Sequence, residues 1–243
     1  MSSFKIDLAE ITVEVHPTYD GIAPFFKEYY SDSDPAVFVH TTQQEIEEMK
    51  QHLIREDRNY NRPYIDYSYE YVEKQTILTK VFERLPEFGA VLIHGSAFLF
   101  SDNGYIFVGP SGVGKSTHTR LWREHFGDAV QMINDDKPIL ALRHGTMILF
   151  SSPWQGKHNI GSNISGLLKG IVVLEQGEEN VVRRLSRGEA LPYLLQQVYK
   201  PSSFSAVENT LEIIDHILHN IDVYFLSCKP ETEAVVLMRD FLI

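Results

Sequence analysis

The chain has 243 residues, of which 43% are hydrophobic, 12% aromatic and 23% charged, and its formal net charge at pH 7 is −11. This length and composition are those of a folded protein with its own core, and they exclude a disordered or fibrous chain. The negative charge repels nucleic acid and anionic membrane surfaces, so we expect neither as a partner, and any anion site must be local.

The start of the chain, MSSFKIDLAE, has no apolar segment behind a basic start, and the longest apolar stretch, residues 89–100, is too short to span a bilayer. We therefore expect a cytoplasmic protein that does not enter the membrane. The single cysteine, Cys228, lies in an apolar run and has no second cysteine to pair with, so we expect a buried thiol.

Residues 1–85 are predicted to form a small α+β appendage. Apolar residues alternate over residues 6–15, which is typical of a strand. Residues 41–55 begin with two threonines and have apolar residues at helical spacing, and residues 71–85 carry a second helical pattern. The domain boundary is placed after residue 85.

Residues 86–243 alternate short apolar runs with helical patterns, which indicates an α/β layer fold. Predicted strands lie at 90–93, 97–100, 105–108, 130–133, 139–142, 147–150, 170–174 and 223–226. Predicted helices run from Lys115 to about Gly127, from a capping box at Ser186 to Lys200 before Pro201, through 211–218, and beyond Cys228 with Pro230 in the first turn.

Residues 109–116, called the glycine loop below, read GPSGVGKS and match G-x-x-x-x-G-K-[ST] in full, between a predicted strand and a predicted helix. Glycines let successive backbone N–H groups surround a phosphate, and the N-terminus of the helix favours negative charge. Lys115 is expected to reach the β- and γ-phosphates, and Ser116 to offer a hydroxyl to Mg²⁺. The residues predicted to bind a nucleoside triphosphate are Gly109, Pro110, Ser111, Gly112, Val113, Gly114, Lys115, Ser116 and Thr117.

Two adjacent acids, Asp135 and Asp136, follow Asn134 at the end of a predicted strand. The carboxyl ends of parallel strands converge on the ligand crevice, so we expect both carboxylates to face the triphosphate. One would hold Mg²⁺, and the other would accept a proton from an incoming hydroxyl. The alternative is a solvated turn before Pro138.

Three further features are candidates that the residues alone leave open. His94 ends a predicted strand, where a histidine is either structural or catalytic. The loop 152–159 is polar and contains glycine, so it is either a turn or a specificity loop in which Lys157, His158 and Asn159 contact substrate.

The last candidate is a basic cluster in this acidic chain. Its arginines could meet the triphosphate or an acidic substrate, with Arg184 the candidate for substrate contact, or they form a solvated approach to a helix. The cluster consists of Arg183, Arg184 and Arg187.

The order His94-Gly95, then GPSGVGKST, then Asp135-Asp136 resembles the catalytic domain of HPr kinase/phosphorylase and its relatives, which share a nucleotide-binding core with ATP-dependent phosphoenolpyruvate carboxykinases. The resemblance covers about residues 88–228. It implies an α/β P-loop core of that type after the appendage, and transfer of a phosphoryl group from ATP, with Mg²⁺, to a serine-type hydroxyl on a protein, peptide or small molecule.

By position, the resemblance makes Asp135 the general base, with His94 positioning or modulating it, while Ser116 and Asp136 hold Mg²⁺. The glycine-rich segment that follows the paired acids in bifunctional HPr kinases is not visible here, so the chain is similar to divergent members. Relatives assemble through this core, which leaves a homo-oligomer open.

Three other functions share the glycine loop. A nucleotide-dependent switch would hydrolyse ATP without an acceptor, although residues 134–137 do not have the Asn-Lys-x-Asp order of a guanine-specific switch. A regulatory module would bind nucleotide without catalysis. A small-molecule kinase of another P-loop lineage would share nearly every site residue and differ in strand order.

Overall fold

The structure is a computed structural model that describes residues 3–156 and 159–242. The chain divides into two compact units, Met1–Arg84 and Leu85–Ile243, and the boundary expected after residue 85 lies one residue from this division. Within the described ranges, no helix is both long enough and apolar enough to cross a membrane.

The first unit contains a three-stranded sheet. Its strands, in the order β1-β2-β3, are β1 (Phe4–Leu8), β2 (Ile11–His16) and β3 (Val37–His40). Strand β2 pairs antiparallel with β1 and parallel with β3.

The prediction of one continuous strand over residues 6–15 is wrong, because Ala9 and Glu10 turn the chain into a hairpin, with φ of 51° and 67°. The apolar residues change parity between Leu8 and Ile11, so a continuous strand would point them to opposite faces. The hairpin pairs Leu8 with Ile11 and places the apolar residues of both strands on one buried face.

Two helices complete the first unit. Helix α1 (Gln43–Asn59) begins at the expected capping box, in which the Thr42 hydroxyl accepts from the backbone N–H of Glu45. It extends four residues beyond the predicted end at residue 55. Helix α2 (Tyr69–Arg84) begins two residues before its predicted start.

The second unit is a mixed sheet with helices on both faces. Nine strands belong to it among the described residues: β4 (Ala90–Leu92), β5 (Gly95–Phe100), β6 (Asn103–Val108), β7 (Val130–Asn134), β8 (Ile139–Arg143), β9 (Thr146–Phe150), β10 (Ser165–Gln176), β11 (Val181–Arg184) and β12 (Asp222–Cys228). The helices are α3 (Lys115–Phe126), α4 (Arg187–Gln197), α5 (Phe204–Asn220) and α6 (Thr232–Leu242).

The main path of the sheet is β4-β8-β9-β10-β6-β5-β7, and β12 pairs with β10 and β11 beside it. Strands β6, β10 and β12 are parallel to one another. Strand β5 is antiparallel to both of its neighbours, β6 and β7, so these two run in the same direction. Consequently β6, β7, β10 and β12 all end at the edge of the sheet where β5 begins.

Alternation along the central strands builds two hydrophobic cores. Ile106 and Val108 of β6 belong to the core that also contains residues of α4 and α5. Phe107, between them, belongs to the opposite core, which contains Trp122 of α3 and Met238 of α6. The central strands are buried on both faces, which explains their nearly continuous apolar sequence.

Two predicted helix boundaries in this unit are wrong. Helix α4 opens at the expected capping box of Ser186 and Glu189 but ends at Gln197 rather than Lys200, because Val198 turns extended and forms a β-bridge with Ile93. Helix α6 begins at Thr232, so Pro230 precedes its first turn. Cys228 is buried as expected, and burial raises the pKa of its thiol to about 11.

Candidate functional site

The glycine loop connects the end of β6 at Val108 to the start of α3 at Lys115, in the strand, loop and helix order that the sequence predicts. Gly114 caps the helix with φ of 111°, a conformation that glycine adopts without strain. Gly109 lies so close to β10 that a Cβ atom would come within 2.9 Å of the Leu174 carbonyl oxygen. Both positions therefore require glycine for the loop to keep this path.

Lys115 is buried inside the loop. Its Nζ donates hydrogen bonds to the carbonyl oxygens of Gly109, at 2.8 Å, and Pro110, at 3.1 Å. Burial lowers the pKa of Lys115 to about 8, against the opposing effect of the Asp136 carboxylate. The ammonium group is thus held at the loop by neutral carbonyl groups, which leaves its charge available to an anion.

The direction of β5 brings His94 to the edge of the sheet where the glycine loop lies. His94 directly precedes β5, whereas the loop follows β6 and the two acids follow β7. The carboxyl ends of β6 and β7 lie at one edge of the sheet, as the prediction for the acids assumed, but the antiparallel strand β5 lies between them. Because β5 runs the opposite way, His94, the residue before it, lies at that same edge. The backbone N–H of Gly95 donates to the Asp136 carbonyl oxygen at 3.0 Å and holds His94 beside the acids.

Asn134 organises the turn that carries both acids. Its side chain is fully buried, and Oδ1 accepts from the backbone N–H groups of Asp136, at 2.9 Å, and Lys137, at 2.7 Å. Its Nδ2 donates to the carbonyl oxygens of Ser152, at 3.0 Å, and Trp154, at 3.3 Å. Asn134 thereby ties the turn to the loop 152–159. The sequence placed it in the motif but gave it no role, although an asparagine side chain that accepts from the backbone N–H two residues further on is a known turn signal.

Asp135 is buried and contacts the same loop. Its Oδ1 accepts from the backbone N–H of Gly156 at 2.7 Å, and its other oxygen makes no hydrogen bond to any residue in the described ranges. A Cβ atom at position 156 would come within 2.7 Å of the Asp135 carboxylate. Gly156 therefore lets the backbone approach the acid, a role that sequence reasoning missed because only the fold brings the two residues together.

Asp136 lies among basic groups. It forms an ion pair with Lys137, and its Oδ1 is 3.4 Å from Nε2 of His94. Burial, followed by the positive charge of Lys115, lowers the pKa of His94 below its usual range, and Asp136 only partly offsets this. The imidazole is therefore mainly neutral at pH 7. The resemblance implied a histidine that assists the base Asp135, but the structure pairs His94 with Asp136.

These groups line one cleft of about 550 Å³. The residues around it are His94, Ser111, Gly112, Gly114, Lys115, Ser116, Thr117, Asp135, Asp136 and Gly156. The cleft thus brings together the glycine loop, both acids and the histidine. No cluster of three or more histidine, cysteine or acidic side chains suited to a metal occurs among the residues in the described ranges.

The oxygen donors in the cleft nevertheless suit Mg²⁺. This ion is usually held by one or two carboxylates together with substrate phosphates and water, rather than by a cage of protein ligands. The Asp136 carboxylate and the Ser116 hydroxyl are donors of that kind, and both line the cleft.

Of the remaining substrate candidates, the structure describes Asn159 and Arg184, and neither lines the cleft. Lys157 and His158 lie outside the described residues. Asn159 is exposed, and its backbone N–H donates to the Gly156 carbonyl oxygen at 3.0 Å. Arg184, on β11, forms an ion pair with Asp222 at the start of β12, which is the opposite edge of the sheet from the glycine loop. Its predicted contact with the triphosphate or substrate is therefore not formed at this cleft.

Comparisons with known proteins give only a distant likeness. No family model matches the chain, and no curated protein is significantly similar to it. Among solved structures, the HPr(Ser) kinase/phosphatase from Coxiella burnetii is 10% identical in sequence, with a TM-score of 0.39 over 62% of this chain and 89% of that chain. The chain is a mixed α/β protein, and the candidate site is defined by its own geometry.

Proposed function

We propose that the chain is an ATP-dependent kinase that transfers the γ-phosphoryl group to a hydroxyl of an acceptor. The observation that carries this proposal is the convergence of the glycine loop, Asp135, Asp136 and His94 on one cleft. Binding alone requires the loop, whereas a buried carboxylate beside it adds a group that can accept a proton.

The glycine loop would hold the triphosphate of ATP. Its backbone N–H groups and the start of α3 supply partial positive charge, and Lys115 supplies a full charge. The Lys115 ammonium now donates to two loop carbonyl groups, and phosphate oxygens would compete for those hydrogen bonds. An anion beside Lys115 raises its pKa, so bound ATP and the protonated lysine stabilise each other.

Asp136 and Ser116 would hold Mg²⁺, which when bound offsets negative charge on the phosphates. The position of Asp136 suits this role, because its carboxylate lines the same cleft as the Ser116 hydroxyl. The neutral imidazole of His94 can share a hydrogen bond with Asp136 without adding a full charge at the cleft.

Asp135 would serve as the general base. Its Oδ1 is held by Gly156, and its other oxygen has no hydrogen-bond partner in the described part of the chain. That oxygen would take the proton of the acceptor hydroxyl as the hydroxyl oxygen forms its bond to the γ-phosphorus. The bond from that phosphorus to the β–γ bridging oxygen breaks, and ADP leaves with the bridging electron pair.

The test uses γ-labelled ATP and an extract separated into protein and metabolite fractions. The unsubstituted chain is expected to label one fraction, which identifies the class of acceptor. Asp135→Asn is expected to lower kcat by about 10²- to 10⁴-fold, because a positioned general base contributes that much, while the affinity for Mg·ATP stays unchanged. Asp128→Asn makes the same charge change at an exposed position of the same unit and is the matched control.

Two outcomes would contradict the proposal. Release of labelled phosphate without any labelled acceptor would indicate the nucleotide-dependent switch. Tight binding of Mg·ATP without turnover in any fraction would indicate the regulatory module. Unchanged turnover in Asp135→Asn would refute the role of that residue.

A further inference from the structure

A second pocket adjoins the candidate site along α3. It has a volume of about 440 Å³ and is lined by Ser116, Thr117, Arg120, Arg123 and Ile160; we call it the arginine pocket. Ser116 and Thr117 also line the cleft that holds Asp135, so the two spaces are neighbours. One molecule could therefore extend from the cleft into the arginine pocket.

Arg123 lacks an anionic partner in this pocket. Its side chain is partly buried, and its Nε is buried without a hydrogen-bond partner in the described ranges. Nor does its guanidinium form an ion pair with any described residue. In a chain with a net charge of −11, such a guanidinium is unusual. A buried donor without a partner costs about 1–3 kcal/mol, which a bound anion would offset.

Arg120 supplies a second guanidinium one turn of α3 earlier, on the same face of the helix. Its Nη1 donates to Glu124 at 2.6 Å, and the side chain is 52% exposed. A guanidinium has five N–H donors in a planar fork, so this contact leaves donors for a second anion. The two arginines together suit a phosphate or a carboxylate.

The position of the pocket favours an acceptor over the nucleotide. Ile160 belongs to the chain segment just after Gly156, the residue that contacts the proposed base Asp135. The lining contains Ser116 and Thr117, the last two residues predicted to bind the triphosphate, but none of residues 109–115. The pocket thus borders the cleft that contains the proposed base and lies away from most of the glycine loop.

We propose, on the premise of the proposed function, that the arginine pocket binds an anionic group of the acceptor, a phosphate or a carboxylate. Arg123 and Arg120 would hold this group while the hydroxyl of the same molecule lies at Asp135. The favoured substrate is therefore an acidic molecule with a free hydroxyl, either a metabolite or an acidic peptide segment.

A kinetic experiment on the full chain tests this assignment. An extract is separated by anion exchange and then by size into metabolites and proteins, and each fraction is incubated with γ-labelled ATP. The labelled acceptor is expected in the strongly bound fractions, and its size identifies the source. Arg123→Gln and Arg120→Gln are expected to raise the apparent KM for that fraction by about 10- to 100-fold, without changing the KM for ATP. Arg55→Gln, at an exposed position of helix α1 in the first unit, is the matched control and should change neither value.

A binding measurement does not depend on the acceptor. Inorganic phosphate is titrated into the ADP-saturated chain, and the Nε–Hε resonance of Arg123 is followed by NMR, identified by its loss in Arg123→Gln. A saturable shift, weakened in Arg120→Gln and unchanged in Arg55→Gln, is expected.

The outcomes distinguish failure of the proposed acceptor pocket from failure of the proposed kinase activity. A rise in the KM for ATP alone would assign the pocket to the nucleotide and overturn the inference. So would an acceptor without an acidic group, a KM unchanged in both variants, or an Arg123 resonance that phosphate does not shift. Failure of the unsubstituted chain to label any fraction would instead refute the proposed kinase.

Discussion

Replacement of Asn134 by alanine is expected to destabilise the chain and to impair the candidate site together. The side chain is fully buried and joins the turn of the two acids to the loop that contacts Asp135. Alanine removes both the acceptor and the donor and leaves no polar group in their place. The turn and the loop would then lose the buried hydrogen bonds of Asn134, while the contact of Gly156 with Asp135 remains.

The magnitude follows from the hydrogen bonds that are lost. Four bonds to backbone groups have lengths of 2.7, 2.9, 3.0 and 3.3 Å. At about 1 kcal/mol each, their loss amounts to about 4 kcal/mol. Asp136 and Lys137 are partly exposed, so water can replace two of these partners, and the expected cost is about 2–4 kcal/mol.

Urea unfolding at equilibrium measures this loss, and Asn220→Ala is the matched control. Asn220 is exposed, and its Nδ2 makes one hydrogen bond, to the His216 carbonyl oxygen at 2.8 Å, so its replacement should cost about 0.5 kcal/mol or less. The Asn134 variant should also lower the rate of phosphoryl transfer in its folded form. A cost for Asn134→Ala no larger than that for the control would refute the proposed connection.

Three further predictions follow from the same geometry. Gly156→Ala should lower kcat, because its Cβ would come within 2.7 Å of the Asp135 carboxylate and displace it. A measured kcat equal to that of the parent would contradict this. Binding of ATP at pH 8 should take up about half a proton, because the pKa of Lys115 is about 8 in the free chain and rises beside an anion. Titration calorimetry in buffers of different ionisation enthalpy measures this proton uptake. Lys115→Met should abolish the uptake. Burial lowers the pKa of His118 from 6.5 to about 4, so as the pH falls between these values the unfolded chain takes up a proton before the folded chain does, and the free energy of unfolding decreases. His118→Leu should remove up to about 3 kcal/mol of this acid-induced loss. An equal pH dependence of the free energy of unfolding in the parent and the variant would rule out this role of His118.

Local sequence patterns predicted most elements of the second unit. The helix after the glycine loop begins at Lys115, as the loop motif requires, and the capping box at Ser186 opens α4. Such signals act between residues a few positions apart, so they are readable from the sequence. The hairpin at Ala9 and Glu10 was missed because its turn contains none of the usual glycine or asparagine. The end of α4 was missed because a long-range bridge between Val198 and Ile93 decides it.

The sequence by itself determined the chemistry that the candidate site could contain. The glycine loop, the pair of acids and the histidine are recognisable because each depends on residue types and short spacings. Their common location was predicted by assuming parallel strands, whereas the structure reaches it through the antiparallel strand β5.

Only the tertiary structure decided how these groups are arranged. It placed Gly156 against Asp135, His94 against Asp136, and Arg184 at the far edge of the sheet. It also left Arg123 without an anionic partner in the described part of the chain, beside Ser116 and Thr117. These relations join residues that are distant in sequence, and they depend on strand order and direction, which local patterns do not encode.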